Sequence, residues 1–253
     1  MNRGRMNART QTLFHFTKSL DVLLRILEEG FWPQYSLEDL TWLNNPKAVP
    51  RIAWPMVSFC DIPISRLREH IGTYGNYGIG VCRQQWTAAG LNPILYVSPD
   101  SLLRDFLSEL LLESQHTSDR RKRTAGMVLL AHCKPLKGTS EIDGTTRTTD
   151  YYSECEWRFI PWVEVVGGEK NYSFFLKEDQ FRDKGILATA NDERRRDQML
   201  RVWPDAVRYL LVRTREEVPK VMNFIDSKIV HPKLVKDMLK TRIIVWEEIS
   251  GDL

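Results

Sequence analysis

Two glutamates lie two positions apart inside an aromatic and apolar stretch, YYSECEWRFIP, at residues 151–161. If this stretch is a β-strand, the period of two places Tyr152, Glu154, Glu156 and Arg158 on one face. One interpretation is a half-solvated strand whose charges pair with a neighbouring strand, an arrangement worth well under ~1 kcal/mol. The other is a pair of catalytic carboxylates in a cleft. The rest of the chain has to distinguish these two interpretations.

The composition sets broad limits on the class of protein. The chain has 253 residues, 42% hydrophobic and 27% charged, which is ordinary for a globular protein that can bury a core. A net charge of +3 permits a polyanionic partner without requiring one. Basic residues cluster within the first ten residues, at 120–123 (RRKR) and at 194–196 (RRR). Such clusters are usually solvated loops, and a nucleic-acid footprint is the alternative.

Cysteine and histidine spacing gives no indication of a metal centre. The four cysteines, Cys60, Cys82, Cys133 and Cys155, form no C-x-x-C pair, which argues against a zinc ribbon or a disulfide framework and favours a reduced, cytoplasmic setting. The five histidines show no H-x-H or H-E-x-x-H spacing, so a metal-dependent nuclease is not favoured. No apolar leader or membrane-length apolar segment is present, and we expect neither export nor membrane association.

The elements that must position these residues are predicted from periodicity. Helices are predicted at KSLDVLLRILEEG, SRLREHIGTYG, PDSLLRDFLSELLLES and REEVPKVMNFIDSK, the third with Leu103, Phe106, Leu107 and Leu110 on its buried face. Strands are predicted at TLFHF, PMVSFCDIP, YGIGVCRQQW, PILYVS, AGMVLLAHCKP, YYSECEWRFIP, AVRYLLVRT and TRIIVWEEI. Residues 31–56 and 136–150 are predicted as loops. This order indicates an α+β fold with a curved, mainly antiparallel sheet, and neither a Rossmann nor a P-loop motif is present.

Several blocks carry a resemblance to known families. The opening, LFHFTKSLDVLLRILEEGF, resembles the mono-ADP-ribosyltransferase fold of the tRNA 2′-phosphotransferases and the DarT-type DNA-modifying toxins. Over most of its length the chain is similar to the AbiGi-type abortive phage-resistance family. That similarity rests on HFT, GFWPQYS, PMVSFCDIPIS, HIGTYGNYGIGV, NPILYV, KPLKG, YYSECEWRFIP and the closing RYLLVRT and RIIVWEEI. The resemblance implies a single ADP-ribosyltransferase-like domain over residues 1–253, with a split sheet, flanking helices and a flexible basic N-terminus at 1–11.

The resemblance also implies a chemistry for the two glutamates. Cleavage of NAD⁺ at the nicotinamide–ribose bond develops positive charge at the ribose C1′, which a fixed carboxylate stabilises. Glu156 matches that carboxylate, and Glu154, about 6–7 Å along the same strand face, would orient or deprotonate the acceptor. Arg158 would form a salt bridge to one of the glutamates or contact a diphosphate, the first role being favoured.

Further residues are implied as contacts to NAD. His15 would bond the adenosine ribose, and Thr17 with the adjacent backbone at Phe16 would hold the nicotinamide amide. Tyr77 is slightly preferred over Tyr74 for stacking on the nicotinamide ring. The remaining implied contacts are Ser58 near the ribose, Arg66 as a further NAD or substrate contact, and Lys134 and Lys137, which face either phosphates or solvent.

Two functions follow from these expectations. The first is an NAD-dependent mono-ADP-ribosyltransferase toxin of an antiphage system, modifying nucleic acid, RNA before DNA, and restrained by a cognate antitoxin and a chaperone-like helper. An acceptor on a protein is a variant of it. The second is a non-catalytic binding module, because proteins of the AbiGi type have been described as the antitoxin half of a pair. Presence of His15, a strand-opening tyrosine and Glu156 together favours the first.

Overall fold

The computed structural model describes residues 10–142, 145–161 and 174–252, so most of the predicted N-terminal arm lies outside the described residues. It is a mixed α+β structure whose strand pairings are mainly antiparallel, as predicted. The chain divides into two compact units. The first comprises residues 1–31, 59–90 and 200–253, and the second comprises residues 32–58 and 91–199. No helix in the described ranges is long and apolar enough to cross a membrane.

The strands are β1 (Thr12–Thr17), β2 (Gln34–Asp39), β3 (Arg51–Cys60), β4 (Tyr77–Cys82), β5 (Asn92–Pro93), β6 (Leu95–Val97), β7 (Cys133–Pro135), β8 (Lys137–Ile142), β9 (Thr145–Asp150), β10 (Glu156–Phe159), β11 (Leu176–Lys177), β12 (Val207–Val212) and β13 (Ile243–Val245). The helices are α1 (Leu20–Glu29), α2 (Leu67–Tyr74), α3 (Arg83–Ala88), α4 (Leu102–His116), α5 (Arg120–Leu130), α6 (Glu178–Arg182), α7 (Lys184–Asp197), α8 (Val218–Lys228), α9 (Lys233–Lys240) and α10 (Trp246–Ile249).

The first unit is built on strands β13, β12, β4 and β1, in that order. Strands β1 and β4 pair antiparallel from Thr12–Cys82 to Thr17–Tyr77, and β12 pairs antiparallel with β4 and parallel with β13. The Ser19 hydroxyl caps the N-terminus of helix α1 by accepting the Val22 N–H, and the leucines at helical spacing along α1 are buried.

The second unit is centred on the first eight residues of β3. Strand β2 pairs antiparallel with β3 along its whole length, β11 pairs with it at Ala53, and β10 is the neighbour that carries Glu156. Its core packs Trp54 of β3 with Leu107 of α4 and Met127 of α5, all nearly inaccessible to solvent. Burial of these large apolar side chains is the main force that fixes β3 against the two helices.

Several predicted elements are wrong in the second unit, among them the predicted loop at 31–56, which contains β2 and the start of β3. The segment AGMVLLAHCKP was predicted as one strand, but it forms the end of α5 followed by the three-residue strand β7. Helix α5 starts earlier, at the basic run, because the Asp119 carboxylate accepts the backbone N–H groups of Arg121 and Lys122. Residues 136–150, predicted as a loop, contain the antiparallel strands β8 and β9.

The buried face of α4 is also displaced from the prediction. Leu107 and Leu111 are buried, whereas Leu103 is 38% and Phe106 72% exposed. The sequence carries a wider apolar stripe on α4 than the core of this unit covers.

Candidate functional site

The acidic segment does not form the continuous strand that its alternation predicts. Residues Tyr151–Glu154 form a 3₁₀ turn, Cys155 adopts a left-handed conformation with φ of 46°, and β10 begins only at Glu156. Because Glu154 lies in the 3₁₀ turn and only Glu156 lies in β10, the two glutamates do not share a strand face. The burial pattern is also the opposite of that expected for a half-solvated strand whose charged face is exposed. Glu156 and Arg158 are buried, whereas Trp157 and Phe159 are partly exposed.

The Glu156 carboxylate is surrounded by hydrogen-bond donors. Its Oε1 accepts from the Ser58 hydroxyl at 2.7 Å and from the Arg158 Nε at 2.7 Å. Its Oε2 lies 2.9 Å from the Lys134 Nζ and 3.2 Å from the Arg158 Nη2. A carboxylate offers about four lone-pair directions, and these four contacts fill that capacity.

The charges of the cluster fix its protonation state. Burial raises the pKa of Glu156, but the Arg158 guanidinium and the Lys134 ammonium outweigh burial and hold that pKa well below its usual range. Burial alone would lower the pKa of Lys134 and of Arg158. Attraction to the neighbouring carboxylates outweighs burial and raises both pKa values. Glu156 is therefore a carboxylate, and the two bases are charged, throughout the ordinary pH range.

A second layer surrounds these three residues. Arg158 also donates to Glu38 at 3.1 Å and to the Ala131 carbonyl at 2.7 Å. Lys134 lies 3.4 Å from Glu154 and 4.5 Å from the centroid of the Tyr151 ring. We call Glu38, Lys134, Glu154, Glu156 and Arg158 the charge network; none of their side chains is more than 16% exposed.

Sequence reasoning anticipated part of this network. It favoured a salt bridge for Arg158, which is present. Ser58, predicted near the ribose, bonds Glu156, and Lys134, predicted to face phosphates or solvent, is instead buried against Glu154 and Glu156.

Sequence reasoning missed Glu38, because residues 31–56 were predicted as a loop, and Tyr96, whose hydroxyl accepts the Glu156 N–H at 2.8 Å. Period-two alternation in QYSLED would have identified the strand that carries Glu38.

The other residues implied as NAD contacts lie in the first unit. They are His15, Phe16, Thr17, Arg66, Tyr74 and Tyr77. The His15 ring packs edge-on against Phe31 at 5.0 Å and at a tilt against Phe59 at 5.6 Å between centroids, in an aromatic cluster.

Thr17 and Tyr77 are direct cross-strand partners on β1 and β4. The Tyr77 hydroxyl donates to the Glu217 carboxylate at 2.6 Å, and burial together with this bond raises the pKa of Tyr77 to about 12. Tyr74 is 39% exposed at the end of α2, with its ring 6.1 Å from that of His70. Arg66 is exposed in the 3₁₀ turn before α2.

No three His, Cys, Asp or Glu side chains within residues 10–142, 145–161 and 174–252 are arranged to hold a metal ion. In the charge network, the oxygens of the three acids contact ammonium and guanidinium groups. These groups occupy the positions that a metal cation would take.

Comparison with known proteins gives two matches and one absence. Residues 29–213 match the family described as "Putative abortive phage resistance protein AbiGi, antitoxin". The chain is 26% identical over 258 residues to the "Abortive phage resistance protein AbiGi" of Lactococcus lactis subsp. cremoris, a match that covers 88% of this chain and 99% of that protein. No solved structure matches the chain.

Proposed function

Because the chain belongs to the AbiGi family of abortive phage resistance proteins, we propose that it is the antitoxin of such a system and acts by binding a partner toxin. In this function the charge network is a structural element. It ties β10 to β3 and β7 through Ser58 and Lys134, and no chemical step is required of it.

The observation that carries this proposal is the saturation of Glu156. A carboxylate that stabilises a ribosyl cation has to present an oxygen lone pair to the substrate. Both Glu156 oxygens already accept two donors, and the side chain is only 7% exposed. Ground-state binding of a sugar hydroxyl would have to displace one of these four donors from a buried anion, and three of the four belong to charged groups.

Growth of cells tests the proposal. Expression of the partner toxin of the same phage-resistance system should arrest growth, and co-expression of this chain should restore it. Expression of this chain alone should leave growth unchanged. Failure to restore growth, with both proteins present in soluble form, would exclude the antitoxin function.

A second candidate is the NAD-dependent mono-ADP-ribosyltransferase that modifies nucleic acid or protein. The observation in its favour is the 2.7 Å contact between Ser58 and Glu156, which lie far apart in the sequence and which the resemblance assigns to the ribose site. In that function Glu156 would stabilise the oxocarbenium-like centre at C1′ and Glu154 would activate the acceptor.

Label transfer separates the two candidates. Purified chain is incubated with radiolabelled NAD⁺ and, separately, with cellular RNA, DNA and protein. The antitoxin proposal predicts no incorporation above a heat-inactivated control. Incorporation that Glu156→Gln abolishes, while circular dichroism shows the variant to be folded, would support the transferase and contradict the antitoxin proposal.

A further inference from the structure

The outer face of α4 carries apolar side chains that the core of the second unit leaves uncovered. Leu102 is 77%, Leu103 38% and Phe106 72% exposed, and Leu129 of α5 is 46% exposed. Leu103, Phe106 and Leu110 follow each other at helical spacings of three and four, so they share one face of α4. Contiguous exposed apolar side chains of this kind mark interaction surfaces more often than isolated ones do.

A groove runs between α4 and α5 beside this face. It encloses about 610 Å³ and is lined by Leu110, Ala125 and Leu129 in its apolar part and by Glu113 and Lys122 in its polar part. This volume lies within the range of about 300–1,000 Å³ that ligand-binding clefts occupy.

The floor of the groove is a close helix–helix contact. A Cβ atom built on Gly126 of α5 would lie 2.0 Å from the Ser114 Oγ and 3.2 Å from the Ser114 Cβ of α4, so the two helices approach closely at this glycine. The tight contact beneath gives the groove fixed walls, which lowers the ordering cost of binding.

The rim of the groove carries basic residues that do not stabilise helix α5. Residues 120–123, RRKR, are exposed and form the first turn of α5. A helix N-terminus carries a partial positive charge, so cations there destabilise the helix and acids are preferred. This basic turn is therefore complementary to an acidic ligand at a small cost to the helix itself.

We infer that the α4–α5 groove is the docking site for an amphipathic helix of the partner protein, with apolar anchors flanked by aspartate or glutamate. The identity of that partner as the toxin rests on the proposed function. Leu110 and Leu129 would receive the anchors, Phe106 would extend the apolar contact, and the basic turn would pair with the acids. The apolar lining of the groove by Leu110, Ala125 and Leu129 matches apolar side chains and not a phosphate backbone, so a peptide is favoured over a nucleic acid.

The test uses the full chain and two synthetic peptides of about 20 residues, a length that supports a helix. Both carry the same leucine and phenylalanine stripe, one with glutamates and the other with lysines beside it. A fluorescein-labelled single-stranded RNA is the third probe. Binding is measured by fluorescence anisotropy at low and at high salt.

Two groove variants, Phe106→Ser/Leu129→Ser and Arg121→Glu/Lys122→Glu, change exposed side chains and are expected to fold. Each has a matched control on α9 of the other unit. Leu234→Ser removes a 71% exposed apolar side chain, and Lys233→Glu reverses an exposed charge in the first turn of a helix.

We expect the glutamate peptide to bind at least about tenfold more tightly than the lysine peptide, and both groove variants to lose about tenfold while the α9 controls lose less than about twofold. Equal binding of the two peptides, or losses as large in the α9 controls, would overturn the inference. So would preferential binding of the RNA that depends on Arg121 and Lys122. The toxin is absent from this assay. A negative peptide-binding result therefore does not affect the conclusion of the growth test, and a negative growth test does not affect the conclusion about peptide binding.

Discussion

Two charged regions of the second unit differ in what surrounds them. In the charge network, three carboxylates and two cations lie within 2.7–3.4 Å of one another and are shielded from solvent. In the first turn of α5, four consecutive cations are exposed at the end of a helix that would favour acids. Both regions are prominent in the sequence, but only the second is exposed to solvent. The difference indicates that a charged motif becomes a candidate site when its charges are exposed, and a structural element when they are buried against opposite charges.

The largest loss of stability is expected from substitution of Arg158. Arg158→Met removes a fully buried cation and leaves Glu156 and Glu38 short of a partner, so the free energy of unfolding should fall by about 3–5 kcal/mol. The matched control is Arg182→Met, which breaks an exposed pair with Glu178 and should cost less than about 1 kcal/mol. Urea unfolding measures both, and equal losses would show that the network is not a buried structural element.

Glu156→Gln should have the next largest effect, about 2–3 kcal/mol at neutral pH, because it replaces charged hydrogen bonds with neutral ones. The Glu156 pKa is depressed on folding, so its stabilisation is present above the unfolded value near 4.5 and is lost as pH falls below that value. The difference between wild type and variant should therefore shrink as pH is lowered from 5 towards 3. A difference that stays constant over this interval would contradict the depressed pKa.

Gly126→Ala probes the contact beneath the groove. The new methyl group would meet the Ser114 Oγ, and we expect a loss of about 1–3 kcal/mol in the free energy of unfolding. Adding Ser114→Ala removes that oxygen and should recover part of the loss. A Gly126→Ala variant as stable as wild type would show that the Ser114 hydroxyl turns away from the new methyl group at no cost, contrary to this expectation.

The smallest expected effect is an increase in the free energy of unfolding. Arg121→Glu/Lys122→Glu places acids at the N-terminus of α5 and should raise stability by about 0.3–1 kcal/mol per site at low salt, less at high salt. Thermal unfolding at two ionic strengths measures it. Destabilisation instead would mean that these cations have partners within the fold, and would remove the contrast with the charge network.

Local signals predicted much of the first unit and less of the second. The periodicity of KSLDVLLRILEEG predicted α1, and TLFHF was predicted as the strand that forms β1. The start of β10 depends on one residue, Cys155, in a left-handed conformation that no propensity indicates. On α5, the Asp119 cap outweighed the apolar run that suggested a strand.

The charge network shows why the candidate site could be predicted only in part. Ser58, Glu156 and Arg158 were singled out from their motifs, but whether Glu156 is open to a substrate depends on Lys134, which approaches it from a different sheet, and on Arg158, which Glu38 of β2 also binds. Periodicity assigns a residue to a face and carries no information about which distant side chain meets it.

We propose that the chain acts by binding the toxin through the α4–α5 groove and that the buried acids take no part. The affinity for the purified partner toxin tests this claim most directly. Isothermal titration would compare wild type, Glu154→Gln, which neutralises the acid in excess within the charge network, and Phe106→Ser/Leu129→Ser in the groove. We predict that Glu154→Gln changes Kd by less than about twofold and that the groove variant weakens binding by more than about tenfold. A groove variant that binds as wild type does, together with a Glu154→Gln variant that does not bind, would contradict the proposal.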